Sequence, residues 1–279
     1  MVIKISVTKA AFILSCVIFL LIMLISQVNI HKDKNVIQAA QGGSCADILA
    51  QTSTPLKNNM PNRRRNIILA CEKINETVLK PGAVFSFNQT VGNRTEARGF
   101  KPAPSFVDGH IGDSVGGGIC QVSSTLYYAC LLSDLEIVSR KSHSMCPDYI
   151  EKPGLDATVD WGSADYKFKN NTGSPMKILT WVEGTRVYVE IRGTKANSNT
   201  VIVESEILSS APFETIYRDN PRLAPGEEKM IQPPFTGYVT KTYRVITNER
   251  GEVISRTLEA KDTYKKLDQI IERHPQNSD

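Results

Sequence analysis

The chain has 279 residues, 41% of them hydrophobic and 22% charged, with a formal net charge of +4. That composition supplies one or two ordinary cores and excludes a disordered or collagen-like chain. Its positive residues are scattered except in "NRRRN" at 62–66, and no interleaving of basic and aromatic residues points to nucleic acid.

The first element is an apolar run, "AAFILSCVIFLLIMLI" at 10–25, which Val28 and Ile30 extend to about the length that spans a bilayer. Lys4 and Lys9 precede it, and no small-residue cleavage pattern follows closely. Residues 1–30 therefore read as a cytoplasmic tip and an uncleaved, single-pass signal anchor that sends the bulk of the chain outward. A signal peptide cleaved near Ala40 is the alternative, and either places the body outside the cytoplasm. Residues 31–52 are polar and weakly periodic, a linker, so the folded body starts near Ser53.

From Arg63 to Leu79 the apolar residues Ile67, Ile68, Cys71, Ile74 and Val78 recur at helical spacing. The "NRRRN" cluster then reads as the solvated first face of that helix. Pro81 and Gly82 turn the chain into a short strand in "AVFSF". The next thirty residues, 89–118, read as a loop rich in glycine and proline, and a loop of that length in a domain is either functional or a misread element.

A second helix is expected from Gln121 to Ser133, then a turn and strand ending at His143. The segments "DATVDW", "YKFKN", "MKILTWV" and "RVYVEIRG" read as strands of an antiparallel sheet. The expected class is α+β: two helices packed on an antiparallel sheet over 53–195, then a small all-β domain over 200–265 and a frayed tail, 266–279, with the transmembrane helix in front.

The chemistry centres on "GGGIC", where Gly116, Gly117 and Gly118 lead to Cys120 at the expected start of the second helix. A helix N-terminus favours an anion, so a thiol there ionises more easily. Glycines in front of it let backbone amides converge on a negative oxygen, giving an oxyanion site near Gly118 and Cys120. Gln121 is placed to add a side-chain donor, and Ser123 and Ser124 complete the candidate binding set. The plain alternative is a tight turn beside a buried thiol.

A nucleophilic thiol needs a base. Of four histidines, His31 lies by the anchor and His274 in the tail, which leaves His110 and His143. His143 follows Cys120 by a helix, a turn and a strand, enough to return to the helix start. Asp156, Asp160 and Asp165 are candidates to orient the imidazole, with Asp156 preferred because it lies on the nearer expected strand.

Six cysteines leave five outside the anchor, so at least one is unpaired within the chain. Cys71 and Cys130 read as buried small hydrophobes, and Cys45 and Cys146 as a candidate disulfide. No spacing of metal ligands stands out, and nothing requires a cofactor.

The stretches "NRRRNIILACEKINETVLKPGAVFSFNQTVGNRTEARGFKPA", "GGGICQVSSTLYYACLLSDLEIVSRKSHS" and "YIEKPGLDATVDWGSADYKFKNNTGSPMKI" resemble the VanW family of Gram-positive bacteria over roughly Ser53 to Gly193. The last third is similar to the small all-β five-glycine domain that often follows such domains, with Gly226, Gly237 and Gly251 in place and Pro233–Pro234 departing from the pattern. The family takes its name from some vancomycin-resistance gene clusters. The resemblance implies work at the cell envelope, with peptidoglycan or another wall glycan or peptide as partner. Two functions follow: a Cys-dependent hydrolase or transpeptidase using Cys120, His143 and Asp156, or a noncatalytic peptidoglycan-binding or assembly factor.

Overall fold

A computed structural model describes residues 45–56, 60–107 and 110–275. The expected anchor and the first part of the linker lie outside these residues. Among the described residues no helix is long and apolar enough to cross a membrane.

The end of the expected linker is a strand. β1, Asp47–Pro55, pairs antiparallel along its length with β9, Arg186–Gly193. β9 forms a hairpin with β8, Met176–Glu183, and β8 takes β2, Thr77–Leu79, on its other edge, giving the order β1-β9-β8-β2. Ile178 on β8 and Val187, Val189 and Ile191 on β9 are fully buried and, except beside the buried Glu190, alternate with half-exposed residues, as strands with one covered face require.

Two helices cover that face. α1, Pro61–Ile74, begins with proline, whose missing N–H costs nothing in the first turn, and packs on β8. It stops five residues earlier than the periodicity implied, because Glu76 takes φ 65° and turns the chain into β2. The stripe Ile67, Ala70, Cys71, Ile74 faces the core.

β3, Val84–Ser86, leads into a short helix α2, Phe87–Val91, capped by the Ser86 hydroxyl. The thirty-residue loop is thus a misread segment: besides α2 it holds a 3₁₀ turn, Glu96–Arg98, and a hairpin of β4, Pro102–Val107, and β5, His110–Val115. Proline and glycine had hidden the alternation.

α3, Cys120–Leu132, packs on β1 and β9 and is buried almost all the way round. Its hydroxyl residues are paired: Ser123 donates to Ala157 O at 2.7 Å, and Thr125 shares a 2.8 Å bond with Thr54. β6, Glu136–Ser139, and β7, Lys167–Lys169, form a small sheet with β3. "DATVDW" is extended but not a regular strand; only the Asp160–Ala164 bridge marks it.

The remaining strands are β10, Thr200–Ala211; β11, Thr215–Asp219; β12, Glu228–Gln232; β13, Gly237–Thr247; β14, Val253–Tyr264; and β15, Gln269–Arg273. They make two three-stranded sheets, β10-β13-β14 and β11-β15-β12, with β11 and β15 parallel. β15 replaces the start of the frayed tail, held by neighbours on both sides. Cys45–Asp279 is one compact unit, and Val203 of β10 joins the core formed by α1, α3 and the first sheet.

Candidate functional site

Three segments meet at the start of α3. The extended segment 156–159 runs beside the helix: Ser124 Oγ accepts from the Ala157 amide at 3.0 Å, and the Val159 amide points at Cys120 Sγ at 3.5 Å. On its other side the Thr158 amide donates to Lys141 O at 2.8 Å, which fixes the chain that carries His143. Cys120, His143 and Asp156, separated by up to 36 positions in sequence, therefore share one place.

His143 Nδ1 lies 2.5 Å from Asp156 Oδ2, and the same oxygen accepts the His143 main-chain amide at 2.8 Å. With Nδ1 so engaged, Nε2 is the nitrogen left to meet Cys120, with which the imidazole is hydrogen-bonded. His143 is 7% exposed and Asp156 fully buried, whereas Cys120 keeps some exposure.

Asp156 is tied from four directions. Oδ1 accepts from Arg140 Nη2 at 3.0 Å and from the Tyr264 hydroxyl, in addition to the two donors on Oδ2. Arg140 also donates to Asp156 O at 2.6 Å and forks onto Asp262 at 2.5 and 2.6 Å. Both Tyr264 and Asp262 stand on β14, in the second domain, so that domain helps to hold the aspartate. Two further links join the domains here: Tyr264 Oη accepts the Gly154 amide at 2.8 Å, and Arg244 donates to Asp134 at 2.7 Å.

The charges follow from this geometry. Burial pushes the Cys120 thiol up, but the hydrogen bond and charge of His143, helped by Val159 and Thr158, outweigh it and bring it below its ordinary value. Burial pushes His143 down, yet its bonds to Asp156 and Cys120 raise it to about 9. Burial would raise Asp156, but His143, then Arg140 and Tyr264, hold it below the usual carboxylate range. A thiolate beside an imidazolium is the arrangement that these shifts describe.

The glycines serve the fold more than a ligand. Gly116 and Gly118 have φ of 90° and 100°, which glycine adopts without strain, and a Cβ on Gly117 would lie 2.1 Å from Ala103 O. Gly116 and Gly117 are buried, which corrects their expected place in a binding surface. The amides of Gly117, Ile119 and Gln121 donate to Ser114, Gly116 and Gly118. Among the described residues those of Gly118 and Cys120 have no partner, so the pair expected to face an oxyanion is available.

Gln121 is not an oxyanion donor. It is fully buried, its Nε2 donates to Thr54 Oγ1 at 3.0 Å and Pro55 O at 2.9 Å, and its Oε1 accepts from Arg63 at 2.8 Å. Ser123 and Ser124 likewise leave the binding set: both are buried, and they clamp α3 to Ala157. Asp160 and Asp165 take other roles, the first accepting from Ser163 and the second from Ser86 and the Asn88 amide. Of His110 only the backbone is described, in β5.

The cysteine readings divide. Cys71 and Cys130 are buried, and burial pushes both thiols up to about 12. Cys45 and Cys146 are both free, Cys45 donating to Pro175 O, so no disulfide joins them.

Sequence reading missed Arg140 and Tyr264, and it placed Arg63 on a solvated face when it is half-buried beside Gln121. Arg140 carried a local signal, three residues before the histidine. Tyr264 carried none, since its partner lies 108 positions away.

Residues 62–192 match the VanW-like protein family and residues 198–273 the G5 domain family. Over 130 residues the chain is 45% identical to the uncharacterized protein YoaR of Bacillus subtilis (strain 168), covering 47% of this chain and 43% of that one. Over 138 residues it is 28% identical to the vancomycin B-type resistance protein VanW of Enterococcus faecalis (strain ATCC 700802 / V583), covering 48% and 50%. The chain thus spans about half the length of these curated relatives. Among solved structures, the IgA1 protease G5 domain aligns at 20% identity with a TM-score of 0.19, covering 30% of this chain and 100% of that one. The chain thus carries a VanW-like domain at residues 62–192 and a G5 domain at residues 198–273.

Proposed function

We propose that this chain is a cell-envelope protein, anchored by residues 10–25 with its body outside the cytoplasm, and that its VanW-like domain is a Cys-dependent amide hydrolase or transpeptidase acting on the peptides of peptidoglycan. The observation that carries the reading is the alignment of Cys120, His143 and Asp156, with the aspartate buried and bound on both oxygens. The domain pair supports the address: the VanW-like match and the G5 match both suit a wall protein, with the second domain as the glycan-binding module.

In this reaction the Cys120 thiolate attacks the carbonyl carbon of an amide, and the negative oxygen faces the Gly118 and Cys120 amides. His143 gives its Nε2 proton to the departing amine as the C–N bond breaks, leaving a thioester. Water or an acceptor amine then attacks the thioester, His143 takes the proton released, and the thiolate departs. Asp156 holds the ring in the tautomer that turns Nε2 toward sulfur.

The test is the pH dependence of Cys120 alkylation by iodoacetamide, with and without His143→Ala. A thiolate–imidazolium pair keeps the rate nearly constant from neutrality to the ordinary thiol value of about 8.5. The variant should instead rise steeply over that span. Identical profiles, or an inert Cys120, would refute the catalytic reading and leave a noncatalytic wall-binding factor.

A further inference from the structure

Arg94 belongs to the "VGNRT" stretch after α2. Its stem packs on the glycine turn: a Cβ on Gly116 would lie 2.9 Å from both Arg94 Cβ and Cγ. The guanidinium sits near enough to Cys120 for the two charges to interact, with its Cζ 5.7 Å from the centre of the Phe87 ring. All three of its nitrogens, Nε, Nη1 and Nη2, are buried, and among the described residues none has a hydrogen-bond partner.

A guanidinium with five buried, unused N–H donors is costly unless something accepts them. The nearby acids do not. Asp165 is taken by Ser86 and the Asn88 amide, Asp160 by Ser163, and although both attract Arg94 through charge, among the described residues neither accepts a hydrogen bond from it. Arg98 adds a like charge, and its own Nη2 is spent on Val91 O. Arg63, the other arginine whose charge reaches Cys120, is committed to Gln121. Arg94 is the one left open beside the nucleophile.

We infer that Arg94 is a substrate-binding residue whose guanidinium takes a carboxylate of the acyl substrate, so that the site selects anionic peptides over neutral ones. A planar fork matches a carboxylate with two parallel hydrogen bonds, which a lysine would not reproduce. The inference rests on the proposed chemistry of Cys120, and it adds the substrate's charge to it.

Two thiol reagents of nearly equal size test it without a known substrate. Iodoacetate carries a carboxylate and iodoacetamide does not; in each the Cys120 sulfur forms a bond to carbon as the carbon–iodine bond breaks and iodide leaves. In the full-length protein the rate ratio of iodoacetate to iodoacetamide at Cys120 should exceed that of free cysteine by about tenfold, the scale of one charge-assisted bond. Arg94→Gln should remove the excess while leaving the iodoacetamide pH profile acid-shifted, and Arg94→Lys should restore only part of it.

A second measurement needs no variant. Acetate, a bare carboxylate, should protect wild-type Cys120 from iodoacetamide in a saturable manner, whereas acetamide should not. An unchanged ratio in Arg94→Gln, or no protection by acetate, overturns the carboxylate site while the acid-shifted profile still supports the proposed nucleophile. A Cys120 that neither reagent labels overturns both.

Discussion

Asp156 Oδ2 accepts two bonds from one residue, His143: its ring Nδ1 at 2.5 Å and its main-chain amide at 2.8 Å. The amide fixes where the backbone of His143 sits, and the ring bond fixes where its side chain turns. One carboxylate oxygen thereby sets both the position and the tautomer of the imidazole that faces Cys120.

The second domain should prove necessary to that arrangement. Tyr264→Phe deletes a hydroxyl that donates to Asp156 and accepts from Gly154, so unfolding should cost about 2 kcal/mol less in urea titration. Wild-type stability in this variant would mean that Tyr264 only fills space.

Ending the chain at Lys195 should do more damage to the same site. It removes Tyr264 and Asp262 and strips Arg140 of its two bonds to Asp262, so Asp156 and His143 lose their fixed geometry. Cys120 in the purified fragment should then alkylate like an ordinary thiol near pH 7. A fragment that keeps the acid-shifted reactivity would show the first domain to be self-sufficient.

Acid should act through Asp156. Its folded pKa lies below the ordinary carboxylate value, so its charge stabilises the fold above that value, and the contribution is lost as pH falls through the depressed one. Asp156→Asn takes from Arg140 one of its two carboxylate partners and should be less stable than wild type near pH 7. The gap should narrow on acidification, which thermal melts from pH 7 downward would follow; a constant gap would show that the carboxylate's charge is irrelevant.

Glycine requirements should differ sharply by position. Gly117→Ala brings a methyl group to 2.1 Å from the Ala103 carbonyl and should destabilise by about 3 kcal/mol. Gly173→Ala meets nothing within 4 Å and should stay within about 0.5 kcal/mol of wild type. Equal melting temperatures for the two variants would contradict the packing of the turn.

Thiol labelling should be selective. Burial raises Cys71, Cys130 and Cys146 to about 12, so brief iodoacetamide treatment of the native protein at pH 7 should mark Cys120 well before them in peptide mapping. Labelling of Cys130 at a similar rate would mean that α3 opens readily.

The candidates for chemistry, Cys120, His143 and Asp156, could be named from sequence because thiols and imidazoles are scarce and their order limits the pairings. Asp156 was chosen for the right neighbourhood on the wrong ground, since its segment is an extended loop rather than a strand. Gln121, Ser123 and Ser124 were misassigned because polarity beside a nucleophile looks functional until burial is known. Their bonds to Thr54, Pro55 and Ala157 show them holding elements together.

Taken alone, the sequence determined that helices are mixed with many strands, that two domains follow one another and that a helix begins at the thiol, and it named Cys120, His143 and Asp156 as candidates, since these rest on periodicity and residue type. Only the tertiary structure decided that Arg140 and Tyr264 brace the aspartate, that Arg63 is committed and that Arg94 is not. Those facts depend on which donors meet which acceptors after chain segments up to 108 positions apart have packed together, and no local pattern encodes that meeting.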